Sequence, residues 1–141
     1  MPEPQIIDHS AEQARSWLRE LAGELGEDDQ RAAYRALRAV LHTLRDRLTV
    51  DEAVQLAAQL PTLIRGTYYE GWRPAAVPER YHDVESFLSR VAREASTGET
   101  EASLAVAAVT RVLRRHVSEG ELDDVLAVVP ETLRPLLSAS S

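Results

Sequence analysis

"RLTVDEAVQLAAQLPTLIR", residues 47–65, returns 69 residues later as "HVSEGELDDVLAVVPETLR", residues 116–134. The two stretches align without a gap and share a capping residue, an acid three positions later, a proline and a closing arginine. Upstream, Ser16–Ala22 ("SWLRELA") returns as Ser86–Ala92 ("SFLSRVA"). Because self-similarity at a fixed period indicates duplicated structural units, the chain is predicted to contain two copies of one helical unit.

Each unit is predicted to hold three helices and a short fourth. The first helix begins at Ser10, which forms a capping box with Gln13, and it ends before Gly26. The second helix runs from about Asp29 to Leu48, since apolar residues recur along it at helical spacing. These signals predict helices and no strands in the first unit.

The third and fourth helices follow the same rules in both units. Thr49 with Glu52, and Ser118 with Glu121, form matching capping boxes in front of the third helix. Pro61 opens the fourth helix, because a first-turn proline needs no amide partner. The recurrence of these start signals in register supports a duplicated, all-helical architecture.

The predicted fold is all-α: a compact helical bundle in one domain, residues 1–141. The repeats span about residues 10–66 and 83–137, and a connector, residues 67–82, joins them. The second repeat contains an almost wholly apolar stretch, Ala102–Val109. Since a helix that is apolar all round belongs inside a bundle, this helix is predicted to be central.

Composition limits the classes of function. The chain has 141 residues, no cysteine and a net charge of −7, which disfavours disulfides, thiolate metal sites and general affinity for nucleic acid or membranes. The N-terminus lacks the pattern of a signal peptide, and no apolar run is long enough to span a bilayer. We therefore expect a cytoplasmic protein.

The connector carries the most distinctive composition. The run "TYYEGWRPAAVPERYHD", Thr67 to Asp83, holds four of the chain's seven aromatic residues. Aromatic faces beside a guanidinium are typical of binding surfaces, but the same rings would also anchor a long loop across the seam between repeats. The candidate binding residues are Tyr68, Tyr69, Trp72, Arg73, Tyr81 and His82.

The residues of the connector are predicted to fall into buried anchors and accessible contact residues. Tyr69 and Trp72 stand three residues apart, so a continued helical turn would place them together as partly buried anchors. Tyr68, Arg73 and Tyr81 are then expected to be the accessible members. A partner would contact the second group without the fold depending on it.

The repeats and the connector also resemble a known family. Two helical units that each close on "LP" or "VP" and a Leu/Arg turn, together with "AAQLPTLIRGTYYEGWRP", resemble an uncharacterised bacterial family, domain of unknown function 2267. The resemblance covers about Ala14 to Leu137, and "YYEGW" is its most specific feature. It implies a compact all-helical fold, and it carries no activity, cofactor or catalytic residue.

The second helix carries a basic stripe. Its members recur every three or four residues, so they share one narrow face opposite the apolar face: Arg31, Arg35, Arg38, His42 and Arg45. Such a stripe would suit phosphates of nucleic acid or of a small ligand, but it is equally typical of a solvated helix face. We expect it to be exposed and dispensable for folding.

No motif predicts catalysis, a cofactor or a metal ion. The histidines form no close pair at ligand spacing, and there is no nucleophile motif or glycine-rich phosphate loop. The sequence therefore favours a non-enzymatic module that docks a protein partner or a second copy through the connector. The alternatives are a small-ligand binder or enzyme with a pocket at the repeat seam, and nucleic-acid binding through the stripe.

Overall fold

The computed structural model describes residues 4–79, 83–128 and 134–137, and this part of the chain contains helices and no strand. In chain order the helices are α1 (Gln5–Leu25), α2 (Gln30–Arg47), α3 (Val50–Ala57), α4 (Thr62–Tyr69), a 3₁₀ turn (Pro74–Ala76), α5 (Val84–Ala95), α6 (Glu99–His116), α7 (Glu119–Val128) and α8 (Arg134–Leu137). The prediction of an all-α bundle is confirmed.

Four helices form the centre of the bundle. Helix α2 packs against α1, α5 and α6, and α6 also packs against α1 and α5. Around this centre, α4 lies on α1 and α2, α3 lies on α7, and α8 lies on α6. The buried apolar residues of both halves form one continuous cluster, whose largest members are Trp17, Tyr68 and Phe87.

Several helices begin after a residue whose side chain caps them, and two of these residues, Thr49 and Ser118, were predicted as caps. Asp29, Thr49 and Ser118 each accept a hydrogen bond from a backbone N–H two or three residues further on. Gly26 ends α1 in the left-handed region with φ of 68°, and Ser96 ends α5 in the same conformation with φ of 56°. Equivalent ends of α1 and α5 are thus built alike, although glycine meets no penalty in this conformation and serine does.

The start of α1 was predicted wrongly. The helix begins at Gln5, after Pro4, and Ser10 lies buried inside it rather than at its N-cap. Ile6 and Ile7, in the added turn, are 63% and 52% exposed, so they do not continue the apolar stripe. Because the period of apolar residues locates only a helix face that packs, it could not reveal this first turn.

Helix α6 lies in the centre of the bundle and buries one of its faces. Within the stretch predicted to be buried, five residues have at most 5% of their surface exposed: Ala102, Ala105, Val106, Ala108 and Val109. Leu104, however, is 60% exposed, because it projects from the opposite side of the helix. The central position is confirmed, but the helix is not surrounded on all sides.

Helices α1 and α6 join the two halves through polar contacts as well. The rings of Trp17 and His116 stack with centroids 4.7 Å apart, and His116 Nε2 lies 2.6 Å from a Glu20 carboxylate oxygen. Arg111 Nε donates to Glu24 at 2.9 Å. That the halves superpose as repeats stays a prediction, and Pro130, which belongs to the second repeat's motif, lies outside the described residues.

Candidate functional site

The connector begins as helix and then crosses the end of α2. Thr67, Tyr68 and Tyr69 form the last turn of α4, so this part is not the unstructured loop that the sequence suggested. Gly71, with φ of 72°, reverses the chain. The backbone N–H of Glu79 then donates to the Asp46 carbonyl oxygen at 2.7 Å, which fixes the connector over the C-terminal half of α2.

Tyr68 is a core residue, and the expectation that it would be accessible is wrong. It has no exposed surface, and its hydroxyl donates to the Ala53 carbonyl oxygen at 2.8 Å. Burial raises the pKa of this phenol far above its usual range. Because α4 extends through Tyr69, Tyr68 falls on the face of α4 that packs on the bundle, and it is a structural anchor.

Tyr69 and Trp72 behave as the spacing predicted. Both are partly buried against the core, and their ring centroids lie 5.4 Å apart. Arg73, the next residue, is exposed, again as expected. Tyr81 and His82, the other two candidate binding residues of the connector, lie outside the described part of the chain.

The basic stripe changes character along α2. Arg31 and Arg35 are exposed and Arg38 is half-buried, but His42 and Arg45 are only 4% and 3% exposed. The prediction of a solvent-exposed stripe is therefore wrong for its C-terminal part. The physical reason is the path of the connector, which covers the last two turns of α2.

Arg45 ties the connector to α2. One of its terminal nitrogens, Nη1, donates to the carbonyl oxygens of Tyr68 and Glu70, each at 2.8 Å. Its Nε donates to the Asp46 carboxylate at 2.8 Å. A buried guanidinium that satisfies two carbonyl groups at a helix end holds that end in place.

A second arginine, the half-buried Arg90 of α5, completes the network, and the sequence patterns did not single it out. Arg90 Nη2 lies 2.5 Å from Asp46 Oδ2, and Arg90 Nη1 lies 2.5 Å from Glu79 Oε2. Burial lowers the pKa of Arg90, but the charges of Asp46, Glu79 and Glu94 outweigh that effect, so its pKa is raised overall. The network joins α2, the connector and α5.

His42 and Glu94 form the inner end of the network. His42 Nε2 donates to the Thr67 carbonyl oxygen at 2.6 Å, while its Nδ1 faces Glu94 Oε2 at 3.6 Å. Burial alone would raise the pKa of Glu94, but His42 and Arg90 outweigh it and hold this pKa below its usual value of 4.5.

Together these residues line a cleft of about 330 Å³ between α2, the connector and α5. The lining consists of Arg38, His42, Arg45, Asp46, Glu70, Gly71, Arg73, Ala76, Val77, Glu79, Arg90 and Glu94. The two candidate surfaces of the sequence, the stripe and the connector, thus meet in one place. The sequence could not predict that the two surfaces are adjacent, because this depends on the path that the connector takes over α2.

The charges inside the cleft are not equally available. Arg45, Arg90, Asp46 and Glu79 are engaged with one another. Arg38 and Arg73, in contrast, form no ion pair with any residue in the described part of the chain. The cleft therefore presents a neutralised floor and two guanidinium groups that are free to bind an anionic group.

The connector residues allow a direct test of anchoring against exposure. Replacing Trp72 with alanine should lower the thermal midpoint clearly, because it removes a ring packed against the core and leaves a cavity. Replacing Arg73 with alanine should leave the midpoint within about 2 °C of wild type, since exposed residues outside special contacts contribute little. Thermal melts followed by circular dichroism measure both, and a silent Trp72→Ala variant would contradict the assignment.

The depressed pKa of Glu94 has a consequence for stability against pH. Since the folded state holds this carboxylate ionised more strongly than the unfolded state does, Glu94 stabilises the fold above pH 4.5. That contribution is lost as the pH falls through the folded-state pKa. Glu94→Gln should therefore be less stable than wild type at pH 7, and the gap should narrow progressively as the pH falls below 4.5. A gap independent of pH would show that charge is not the cause.

The fold and cleft define the class of protein: a small helical bundle with a charged cleft between α2, the connector and α5. The family model for "Uncharacterized conserved protein (DUF2267)" matches residues 14–136. The chain belongs to this family, as the connector and the Leu/Arg turns indicated. No curated protein matches the sequence. Among the described residues, no helix has the length and apolar character that a bilayer crossing requires.

Proposed function

We propose that the chain is a non-enzymatic binding module that docks an acidic segment of a protein partner. The segment would lie on an arginine surface made of Arg31, Arg35, Arg38 and Arg73, with the cleft at one end. The observation that carries the proposal is that Arg38 and Arg73 line the same cleft and that neither forms an ion pair within the described chain. We further propose that it acts in the cytoplasm.

Charge distribution supports an acidic partner. The chain carries a net charge of −7, yet α2 and the connector present four arginines that pair with no acid in the part of the chain described. Arg binds carboxylates through two parallel hydrogen bonds, which gives both direction and strength. A basic surface attracts acidic segments and repels basic ones, so it selects partners by charge.

The state of the cleft floor supports binding rather than catalysis. The acids and bases that would exchange protons with a substrate are held in ion pairs or against backbone carbonyl groups. Such groups orient and neutralise one another, and they provide a rigid support for the free arginines. The aromatic rings contribute in the same way, because Tyr68 and Trp72 hold the connector in position.

The arginine surface should be dispensable for folding. Replacing Arg31, Arg35 and Arg38 with glutamine is expected to change stability by less than about 1 kcal/mol, because exposed charges contribute little individually. Chemical denaturation measures the difference. A loss of several kcal/mol would mean that these side chains are buried against a part of the protein, and the surface would then not be available to a partner.

A small anionic ligand is a second candidate, favoured by the concave shape of the site. A volume of about 330 Å³ is at the lower end of the range for ligand pockets, although such pockets are usually more apolar than this one. Nucleic acid is a weaker candidate, because the rest of the acidic chain would repel it.

An NMR titration with three probes distinguishes these candidates. The probes are a synthetic glutamate-rich peptide, inorganic phosphate and single-stranded RNA, each added to the ¹⁵N-labelled full chain. The proposal predicts that the peptide shifts the amide signals around Arg38 and Arg73, and that RNA does not compete with it. Shifts from phosphate alone would indicate a small-ligand site, and tight, salt-sensitive RNA binding would overturn the proposal. Sedimentation velocity tests whether a second copy is the partner.

A further inference from the structure

A separate group of acids lies outside the cleft, where α3 packs against α7. Glu52 on α3 and Glu121 and Asp124 on α7 each place a carboxylate oxygen within 4.8 Å of the others. No residue of the cleft belongs to this group. No metal ligand was predicted from the sequence, and Asp124 aligns with Gln55, not with an acid, in the first repeat.

Two of these carboxylates have buried oxygens without a partner. Glu121 is only 9% exposed, and its Oε1 accepts no hydrogen bond. Glu52 Oε2 is buried and without a hydrogen bond as well. Neither residue forms an ion pair with any arginine or histidine of the described chain. Buried carboxylates are ordinarily paired or bound to a metal, so this pair lacks the compensation that burial requires.

The helix starts explain why the acids face each other. In both helices the capping hydroxyl accepts the backbone N–H of the glutamate, from Glu52 to Thr49 at 3.3 Å and from Glu121 to Ser118 at 3.2 Å. A complete capping box would also turn the glutamate side chain back to the cap. Here neither glutamate side chain accepts a hydrogen bond from the capping residue, so each expected capping box has only one of its two hydrogen bonds. The two glutamates, which stand at the same position of the two predicted repeats, therefore face each other.

We propose that Glu52, Glu121 and Asp124 form a binding site for a hard divalent cation, with Ca²⁺ as the best fit. Carboxylate oxygens are the ligands that Ca²⁺ prefers, at about 2.3–2.6 Å, so oxygens on opposite sides of the ion stand about 4.8 Å apart. The three acids already lie within that span. Exposed Asp124 opens the site to solvent, and water would complete the coordination shell.

The charges of the site agree with this assignment. Burial and the charges of Glu52 and Asp124 raise the pKa of Glu121 above its usual value, because three negative groups crowd one another. A bound divalent cation would reverse that repulsion and would clamp α3 to α7, and hence the first half of the chain to the second. Binding would then stabilise the fold by mass action.

Thermal melts with added metal test the proposal. In 10 mM CaCl₂, compared with NaCl of equal ionic strength, the wild-type midpoint is expected to rise by about 3 °C or more, as a millimolar or tighter site would require. Glu121→Gln should abolish this rise, and it should raise the midpoint without calcium because it relieves the repulsion. Glu52→Gln is the second variant and should behave in the same way.

Asp123→Asn provides the matched control, because Asp123 is an exposed acid on the same helix outside the cluster. It should keep the full calcium effect. MgCl₂ and MnCl₂ are tested in parallel, and the proposal expects Ca²⁺ to act at the lowest concentration. The absence of any midpoint shift with all three metals would overturn the proposal, and so would a calcium shift that survives in both Glu121→Gln and Glu52→Gln.

Discussion

Replacing Arg45 with methionine is expected to destabilise the protein by about 3–5 kcal/mol, the usual cost of removing one partner from a buried ion pair. The substitution keeps the apolar stem but removes the four hydrogen bonds of the guanidinium, two of them to Asp46. Asp46 loses one of its two cationic partners, and the carbonyl oxygens of Tyr68 and Glu70 lose their donor. Urea denaturation followed by circular dichroism measures the loss.

Arg31→Met is the matched control, because Arg31 lies on the same stripe of the same helix but is exposed. Its effect should stay within about 0.5 kcal/mol, as for most surface substitutions. Equal effects of the two variants would contradict the assignment of Arg45 as the residue that holds the connector on α2.

Replacing Tyr68 with alanine is expected to have a similar effect, about 3–5 kcal/mol, because it empties a fully buried position of a large ring. The Ala53 carbonyl oxygen would also lose the tyrosine hydroxyl that now donates to it. Tyr68→Phe separates these contributions, since it keeps the ring and removes only the hydrogen bond, at a cost of about 1–2 kcal/mol.

The neighbouring ring gives the comparison. Tyr69→Ala should cost clearly less than Tyr68→Ala, because Tyr69 is only partly buried. The measurement is again chemical denaturation. If Tyr68→Ala were no worse than Tyr69→Ala, the path of α4 over the core would be wrong.

The sequence was most informative where local chemistry decides the structure. Asp29, Thr49 and Ser118 were predicted at helix starts and act as caps there, since a side-chain oxygen that meets free N–H groups needs no tertiary contact. The start of α1 was missed because Pro4 makes no side-chain cap and the first turn is exposed.

The candidate site was predictable only in part. Helical spacing placed His42 and Arg45 on one face of α2 with the exposed arginines, but no periodicity reveals that the connector covers that end of the helix. Arg90 was missed: Glu94 follows it at the i,i+4 spacing of a helical ion pair, but its contact with Asp46, 44 residues away, forms only through tertiary packing.

The arginines that line the cleft fall into two groups with different roles. Arg45 and Arg90 hold α2, the connector and α5 together through ion pairs and hydrogen bonds, so they contribute to the stability of the fold. Arg38 and Arg73 line the same cleft but have no such task within the described chain. Binding and stability should therefore respond to different arginines of one site.

The most direct test measures the affinity of a fluorescently labelled glutamate-rich peptide by anisotropy. We compare wild type with Arg38→Gln/Arg73→Gln and with a control, Arg15→Gln/Arg19→Gln, which removes two exposed arginines of α1 and changes the net charge equally. The account predicts at least a tenfold loss for the first variant, about 1.4 kcal/mol, with an unchanged thermal midpoint, and less than about a twofold loss for the control. Equal losses in the two variants, or no binding by wild type, would contradict the account.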